Sequence, residues 1–460
     1  MRPFIILLCL ASITVSGCGK SDKDAESKAG VPLSINNPSK GKASTPKLKK
    51  DISNKAVEDL LKKAQDLTNQ RQLASAIQAL SQAIGLDPQD ARLFHARADV
   101  YVLMGENANA QADFSLAIAA SPKDARLYNI RGYFLMTHGA SNEAMSDFDK
   151  ALELDPKFPQ AWNNKGLAYL AAKENKKAES AFAKAIEADR KYADAWNNRG
   201  FARMKLNKMK DAIADLNQAV KVRPDYATAW NNSGLVYMQQ EEFASAAKSF
   251  SRAVEIEPLN ARWLTNRREA LLKQESFDKA SEDTIRLKWL ARLNAYSEKA
   301  RLQPENVEAW LLRADHLMFG NELDMAMQDY GRVLALSPGN TEALTGRAKA
   351  YLQTGRIKEA ISDLDESLII AQTSDAFSAR GDAWFALKQY DEAISDFESA
   401  QRFDEVVSKA YRARADEHQS EGRNSEAKAD LQKAQEIDDF LSGKAIPEEV
   451  ERAPDFPEEE

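Results

Sequence analysis

The sequence predicts an all-α protein, an α-solenoid of about eleven stacked helical hairpins, and three observations predict it. Prolines recur at a fixed interval: Pro88, Pro122 and Pro156 stand 34 residues apart, Pro224 and Pro258 again 34, and Arg190 fills the vacant place between Pro156 and Pro224. Each block reuses the same positions, with an aromatic or leucine fourth, a small residue eighth, alanine twentieth, Phe, Leu or Tyr twenty-fourth and usually alanine twenty-seventh. Trp162, Gly166, Ala178, Phe182 and Ala185 fill these places in the block 159–192. Spacings of three and four put them on one stripe of each of two helices, with small residues where the helices cross and a breaker at the end. The third observation is that one such hairpin cannot bury its own stripe, so neighbours must stack.

The chain opens with Met1-Arg2-Pro3, an apolar run from Phe4 to Val15, and then Ser16-Gly17-Cys18. This pattern reads as a secretory signal over residues 1–17, too short to persist as a membrane span. Val15-Ser16-Gly17-Cys18 resembles the bacterial lipobox, and the resemblance implies cleavage before Cys18, acyl chains on that residue and an extracytoplasmic, membrane-anchored protein. Each methylene buried in the bilayer contributes ~0.8 kcal/mol, so several chains anchor stably where one does not. Gly19 rather than aspartate after the cysteine implies, on the same resemblance, the outer membrane, with the outer leaflet of the inner membrane as the alternative.

Residues 18–56 read as a flexible basic tether behind the lipidated cysteine, rich in Lys, Ser and Pro, with Val31, Leu33, Ile35 and Leu48 nearly its only large apolar side chains. Residues 1–56 carry ten basic and four acidic groups, net +6, whereas residues 57–460 carry 53 against 66, net −13. The overall charge of −7 gives no support for a nucleic-acid partner. Cys9 and Cys18 are the two cysteines of the chain, so no disulfide or thiolate site is available to the body.

The body closely resembles the tetratricopeptide repeat. Repeats one to six span 57–260 (57–90, 91–124, 125–158, 159–192, 193–226 and 227–260), an extended seventh spans 261–306, and repeats eight to eleven span 307–441 (307–340, 341–373, 374–407 and 408–441). The resemblance implies a right-handed superhelix that binds proteins and peptides in a concave groove lined by the second, fifth, sixth, ninth, twelfth and thirteenth residues of each repeat.

In the seventh repeat no Gly or Pro interrupts Leu259 to Gln303, which predicts either a helix from Ser276 to about Leu302, some three turns longer than its siblings, or two helices joined without a breaker. Ile285, Leu287, Trp289, Leu290 and Leu293 circle its axis and predict burial on more than one side. The segment 276–302 reads as a junction between two halves or as a surface for a partner or self-association. The acidic, proline-containing tail 442–460 either caps the last hairpin through Ile446, Val450 and Phe456 or is disordered.

Two constellations recur inside the repeats. Arginine stands seventh in eight of them (Arg97, Arg131, Arg199, Arg267, Arg313, Arg347, Arg380 and Arg414), and aspartate stands twenty-third in the same eight (Asp113, Asp147, Asp215, Asp283, Asp329, Asp363, Asp396 and Asp430). Repeats with Lys63, Lys165 or Ser233 in the first place have Ala79, Ala181 or Ser249 in the second. This co-occurrence predicts structural ion pairs within each hairpin, guanidinium to carboxylate.

Asparagine stands sixth in four consecutive repeats, Asn164, Asn198, Asn232 and Asn266, with Asn163, Asn197 and Asn231 just before three of them. A carboxamide both donates and accepts, so such a row suits the backbone of an extended peptide whatever its side chains. The row resembles the asparagine ladder of some tetratricopeptide-repeat proteins; the bland alternative is that these groups bond to neighbouring helices. Leu167, Phe201 and Leu235 at the ninth place, and Leu170, Met204 and Met238 at the twelfth, are expected to give apolar contact. The clamp that some family members use for acidic carboxyl termini needs lysines in the groove, and the fifth places hold Leu61, His95, Asn129, Asn163, Asn197 and Asn231 instead.

His95, His138, His316 and His418 are scattered one to a repeat, no phosphate loop or nucleophile elbow occurs, and the repeats leave no room for a catalytic domain. The expectation is therefore a non-enzymatic scaffold with neither cofactor nor metal, binding client segments in the groove of repeats four to seven. A structural subunit of an outer-membrane secretin, pilus or barrel-insertion assembly is the alternative.

Overall fold

The computed structural model describes residues 46–443, with side chains from residue 54. The signal segment, Cys18, the tether up to residue 45 and the tail beyond residue 443 lie outside the described residues. All regular structure among the described residues is helical, in 22 helices, and the chain divides into two compact units at Asp283 and Thr284.

The first unit pairs α1 (Pro46–Asn69) with α2 (Leu73–Leu86), α3 (Ala91–Met104) with α4 (Asn107–Ala120), α5 (Ala125–Thr137) with α6 (Ser141–Leu154) and α7 (Pro159–Ala171) with α8 (Asn175–Ala188). It continues with α9 (Ala193–Lys205) and α10 (Met209–Val222), α11 (Ala227–Gln239) and α12 (Phe243–Ile256), then α13 (Ala261–Lys273) and the start of α14 (Phe277–Leu302). The second unit holds the rest of α14, then α15 (Val307–Phe319) with α16 (Leu323–Leu336) and α17 (Thr341–Gln353) with α18 (Ile357–Ile370). It closes with α19 (Ser374–Ala386) and α20 (Tyr390–Ser399), α21 (Glu405–Ser420) and α22 (Asn424–Leu441).

A left-handed corner turns each first helix into its second. Positive φ falls on Arg71, Gly105, Gly139, Lys173, Asn207, Glu241 and Glu275 in the first unit and on Asn321, Gly355, Lys388 and Gly422 in the second. The residue after each corner donates its backbone N–H five residues back, as Glu174 does to Tyr169 at 2.8 Å and Lys208 to Arg203 at 2.9 Å, the Schellman closure that satisfies the helix's last carbonyls.

Between hairpins the fourth-place aromatic holds the turn. Trp162, Trp196, Trp230 and Trp310 donate their indole N–H to the carbonyls of Pro156, Arg190, Pro224 and Pro304 at 2.9, 3.0, 3.2 and 2.9 Å. The place that proline vacates at Arg190 therefore keeps its geometry, because the acceptor is a backbone oxygen.

The core runs as a seam between paired helices. A Cβ on Gly166 would lie 2.5 Å from the ring of Phe182, and one on Gly234 2.5 Å from that of Phe250, so both rings sit directly on the facing backbone. Phe148, Phe182, Leu216, Phe250, Tyr330, Leu364 and Phe397 are all fully buried at the twenty-fourth place or its equivalent. Closely packed rings contribute roughly 1.5–3 kcal/mol each by burial, which spreads stability along the stack.

Two sequence expectations are corrected here, and one open alternative is decided. Residues 46–56 were expected to be tether, yet they form the first turns of α1; Pro46 opens the helix, no Gly or Pro follows it, and the stripe of the first hairpin extends the helix backward. The extended seventh repeat is one helix, α14, of 26 residues. Within it Trp289, Leu290 and Leu293 are buried, but Ile285 is 66% exposed, so burial does not run all the way round.

In the second unit Trp289 stacks on His316 with centroids 5.0 Å apart, donates to the His316 carbonyl at 3.2 Å, and carries the Arg286 guanidinium 3.9 Å above its ring. At the tenth repeat the second helix stops at Ser399. Gln401 takes a positive φ of 52°, Arg402 turns back to Asp382 at 2.7 Å, and Asp404 caps α21.

Candidate functional site

The arginine and aspartate rows meet in all eight repeats. Arg131 donates from Nε to Asp147 Oδ2 and from Nη2 to Oδ1, both at 2.8 Å. The same two-pronged contact joins Arg97 to Asp113, Arg199 to Asp215, Arg267 to Asp283, Arg313 to Asp329, Arg347 to Asp363, Arg380 to Asp396 and Arg414 to Asp430. Every aspartate of the set is buried. The carboxylate beside Arg97, Arg131 or Arg347 raises the pKa of that guanidinium above its ordinary value against the opposing pull of burial.

The third nitrogen adds a contact that sequence spacing did not suggest. Arg97 Nη1 reaches Ser81 at 3.0 Å and Arg131 Nη1 reaches Ser115 at 3.1 Å, each on the second helix of the preceding hairpin. Arg380 and Arg414 reach Asp365 and Asp391 at 2.6 and 3.0 Å in the same way. One side chain thus clasps its own hairpin and the previous one.

Where the pair is missing, the polar groups find other partners. Lys165 pairs with Asp149 of the preceding hairpin, while Ser233 and Ser249 bond to the carbonyls of Ala229 and Ser245 on their own helices. Arg203, unnoticed in the sequence, joins Asp215 at 2.8 Å to Glu179 at 2.9 Å.

The asparagines form hydrogen bonds from each first helix to the one before it. Asn164 Nδ2 donates to Asn129 Oδ1 at 2.9 Å, Asn198 to Asn163 at 2.9 Å, Asn232 to Asn197 at 2.8 Å and Asn266 to Asn231 at 2.7 Å. These bonds set α5, α7, α9, α11 and α13 side by side. The sixth-place carboxamides are therefore engaged within the protein, as the bland alternative had it, and Asn129 is a fifth-place member of the row. Asn163, Asn197, Asn231 and Asn232 are buried, so they act on a ligand only through what they hold in place.

Beside the asparagines, Leu167, Phe201, Leu235 and Met238 are half-buried, each with part of its side chain open. Met204, expected as a contact residue, is only 4% exposed and packs in the cluster with Leu216 and Val236. Leu170 is buried likewise against Phe182. The twelfth place turns toward the next hairpin in repeats four and five, which removes both residues from the open face.

Of the histidines, His95 lies 3.5 Å from Asp99 one turn on, a carboxylate partner that the sequence reading overlooked. His418 is buried 3.5 Å from Asp430. Among the described residues no three His, Cys, Asp or Glu side chains converge as a metal site would require, and no helix is long and apolar enough to cross a membrane.

Family models described as tetratricopeptide repeat match residues 61–125, 95–159, 197–261 and 232–284, with further repeat models at 148–180 and 321–383. The chain is a tetratricopeptide-repeat protein. Its fold is that of the repeat family throughout the described residues, and the eleven positive-φ corners mark one repeat each.

Among solved structures the repeats are similar to PilF of Pseudomonas aeruginosa, at 19% identity over 47% of this chain and 97% of that one, with a TM-score of 0.41. They are similar also to PilW, a widely conserved type IV pilus biogenesis factor, at 20% identity over 47% of this chain and 98% of that one, TM-score 0.41. YrrB, a repeat protein with an unusual peptide-binding site, matches at 20% identity over 41% of this chain and 98% of that one, TM-score 0.34. No curated protein matches the chain by sequence.

Proposed function

We propose that this repeat protein is a non-enzymatic scaffold that holds extended segments of client proteins along the first helices of repeats four to seven. The observation that carries the reading is the pairing of a fixed polar row with an apolar one. Asparagine bonds lock α7, α9, α11 and α13 in register, and Leu167, Phe201 and Leu235 stand half-open on three of those helices at the ninth place. Preorganised helices with apolar side chains spaced hairpin by hairpin suit a segment that crosses several repeats, because little ordering cost remains to be met on binding.

The lipobox resemblance at Val15 to Cys18 supports anchoring of the scaffold through acyl chains on Cys18, at the outer membrane, with residues 19–45 as the lead to the first repeat. The test of the groove is affinity capture from solubilised envelopes with the lipidated chain and with a Leu167→Arg, Leu235→Arg variant. Proteins recovered by the first and lost with the second support the reading; the same proteins recovered equally by both sink it. Anchoring is tested separately, by incorporation of an alkynyl fatty acid that Cys18→Ser abolishes.

A further inference from the structure

The body is acidic as a whole, but its charge is not evenly spread. Repeats four and five, residues 159–226, carry 14 basic and 8 acidic side chains, net +6, within a body of net −13. Six exposed lysines of this island stand at the corners where first helices turn into second ones. Lys173 occupies the positive-φ corner and Lys176 and Lys177 open α8; Lys205 ends α9, and Lys208 and Lys210 begin α10.

The two corners are neighbours in space, since Glu179 of α8 accepts from Lys208 at 2.7 Å and from Arg203 at 2.9 Å. Lys177 is paired with Glu174 at 2.5 Å. Among the described residues Lys173, Lys176, Lys205 and Lys210 have no carboxylate within ion-pair distance. The flanking corners have the opposite sign, with Glu106 and Glu143 before them and Glu241 and Glu242 after. The edge also borders the open face: Lys205 Nζ lies 5.2 Å from the ring of Phe201, on the same helix as Asn198.

We propose that this lysine edge of repeats four and five is a capture site for an acidic, extended segment of a partner protein. Four lysines outside any ion pair, in an edge where basic groups outnumber Glu174, Glu179 and Asp211, leave a concentrated positive potential, and acidic corners on either side confine it. The groups are lysines on mobile stems, which give attraction without the planar, two-pronged geometry that reads one fixed carboxylate or phosphate. Such an edge suits a flexible acidic stretch, raises its rate of encounter and weakens steeply with salt. The inference needs no occupant between Leu167 and Leu235 and stands or falls apart from the groove reading.

The test uses fluorescein-labelled decaglutamate and the full chain, with anisotropy read at low and physiological salt. Reversing Lys173, Lys176, Lys205 and Lys210 to glutamate is expected to weaken binding at least tenfold at low salt and to flatten the salt dependence. Reversing Lys279, Lys358, Lys388 and Lys428, which changes net charge equally, is expected to leave binding within about threefold. Equal losses in both variants overturn the proposal, as does no loss in the first. Helical circular dichroism checks folding, and if the reversal unfolds the chain, the four alanine substitutions replace it, with an intermediate loss expected and none overturning. A duplex DNA of equal charge bound more tightly than decaglutamate, or self-association of the chain through these lysines without peptide binding, would also overturn it.

Discussion

Asn232 donates to the carboxamide oxygen of Asn197 at 2.8 Å, and both side chains are buried between α9 and α11. Asn197 in turn donates to Asn198 at 3.0 Å, and Asn198 to Asn163 at 2.9 Å, so three bonds tie three successive hairpins. A buried acceptor stripped of its donor costs about 1–3 kcal/mol. Asn232→Ala is expected to lower stability by that order, whereas Asn197→Leu with Asn232→Leu is expected to lose less than the sum of its single changes. Urea unfolding followed by circular dichroism checks this. Asparagine-to-alanine variants are for the same reason poor tests of ligand binding.

The arginine clasp gives a sharper asymmetry. Removing one member of a buried, two-pronged pair costs about 3–5 kcal/mol, while removing both leaves no unpaired charge. Arg131→Met should therefore destabilise the chain more than Arg131→Met combined with Asp147→Ala. A double variant less stable than the single one would contradict this, because it would mean that Asp147 left without Arg131 is not the source of the loss.

Repeat six lacks the clasp and satisfies Ser233 and Ser249 on their own helices. Installing Ser233→Arg together with Ser249→Asp should be tolerated and match the geometry of Arg199 and Asp215. Ser249→Asp alone should lower the unfolding midpoint, because a buried carboxylate would lack its partner. Equal midpoints for the single and double variants would mean that the backbone of this hairpin does not bring the two places together.

Left-handed corners separate the repeats by residue type. Lys173, Glu241 and Lys388 hold φ of 62°, 59° and 61° with side chains, at about 1–2 kcal/mol of backbone strain each. Glycine there should stabilise by about 0.5–1 kcal/mol, since relief of strain exceeds its extra chain entropy, whereas Gly139→Ala, at φ 85°, should destabilise. Thermal midpoints of the four single variants check both signs.

Asp124 caps α5, and the hydrogen bond from the Arg126 side chain, with the Arg126 backbone N–H, holds its carboxyl below the ordinary range despite burial. The folded-state pKa is depressed, so this contribution is fully present above the unfolded value of about 3.9 and is lost as pH falls through the folded one. Asp124→Asn keeps a capping acceptor and should flatten the loss of stability between neutral pH and pH 3, measured by thermal unfolding. An unchanged pH slope would mean that this carboxylate does not contribute to acid sensitivity.

The repeat frame and the arginine clasps were legible because both depend on residue types at fixed spacing, where each of the three missing arginines coincides with a missing aspartate. The asparagine row was legible as a row but not as to its partners. A carboxamide suits a peptide and a neighbouring helix equally, and only the lateral packing of α7 on α9 decides for the helix. Met204 was misplaced for a related reason, since a twelfth-place residue lies near the boundary between open face and seam. The early start of α1 at Pro46 was obscured because the lysine- and serine-rich residues around it read equally well as tether. The lysine edge escaped because net charge averages over the chain what the corners of two hairpins concentrate.

On the groove reading, clients lie against the first helices of repeats four to seven. Photo-crosslinking amino acids placed singly at Leu167, Phe201 and Leu235, and for comparison at the exposed Lys184 and Lys248 of the second helices, test it directly in intact cells. Client adducts are expected at the first three positions and few or none at the other two. Adducts confined to Lys184 and Lys248, or equal at all five, would contradict it.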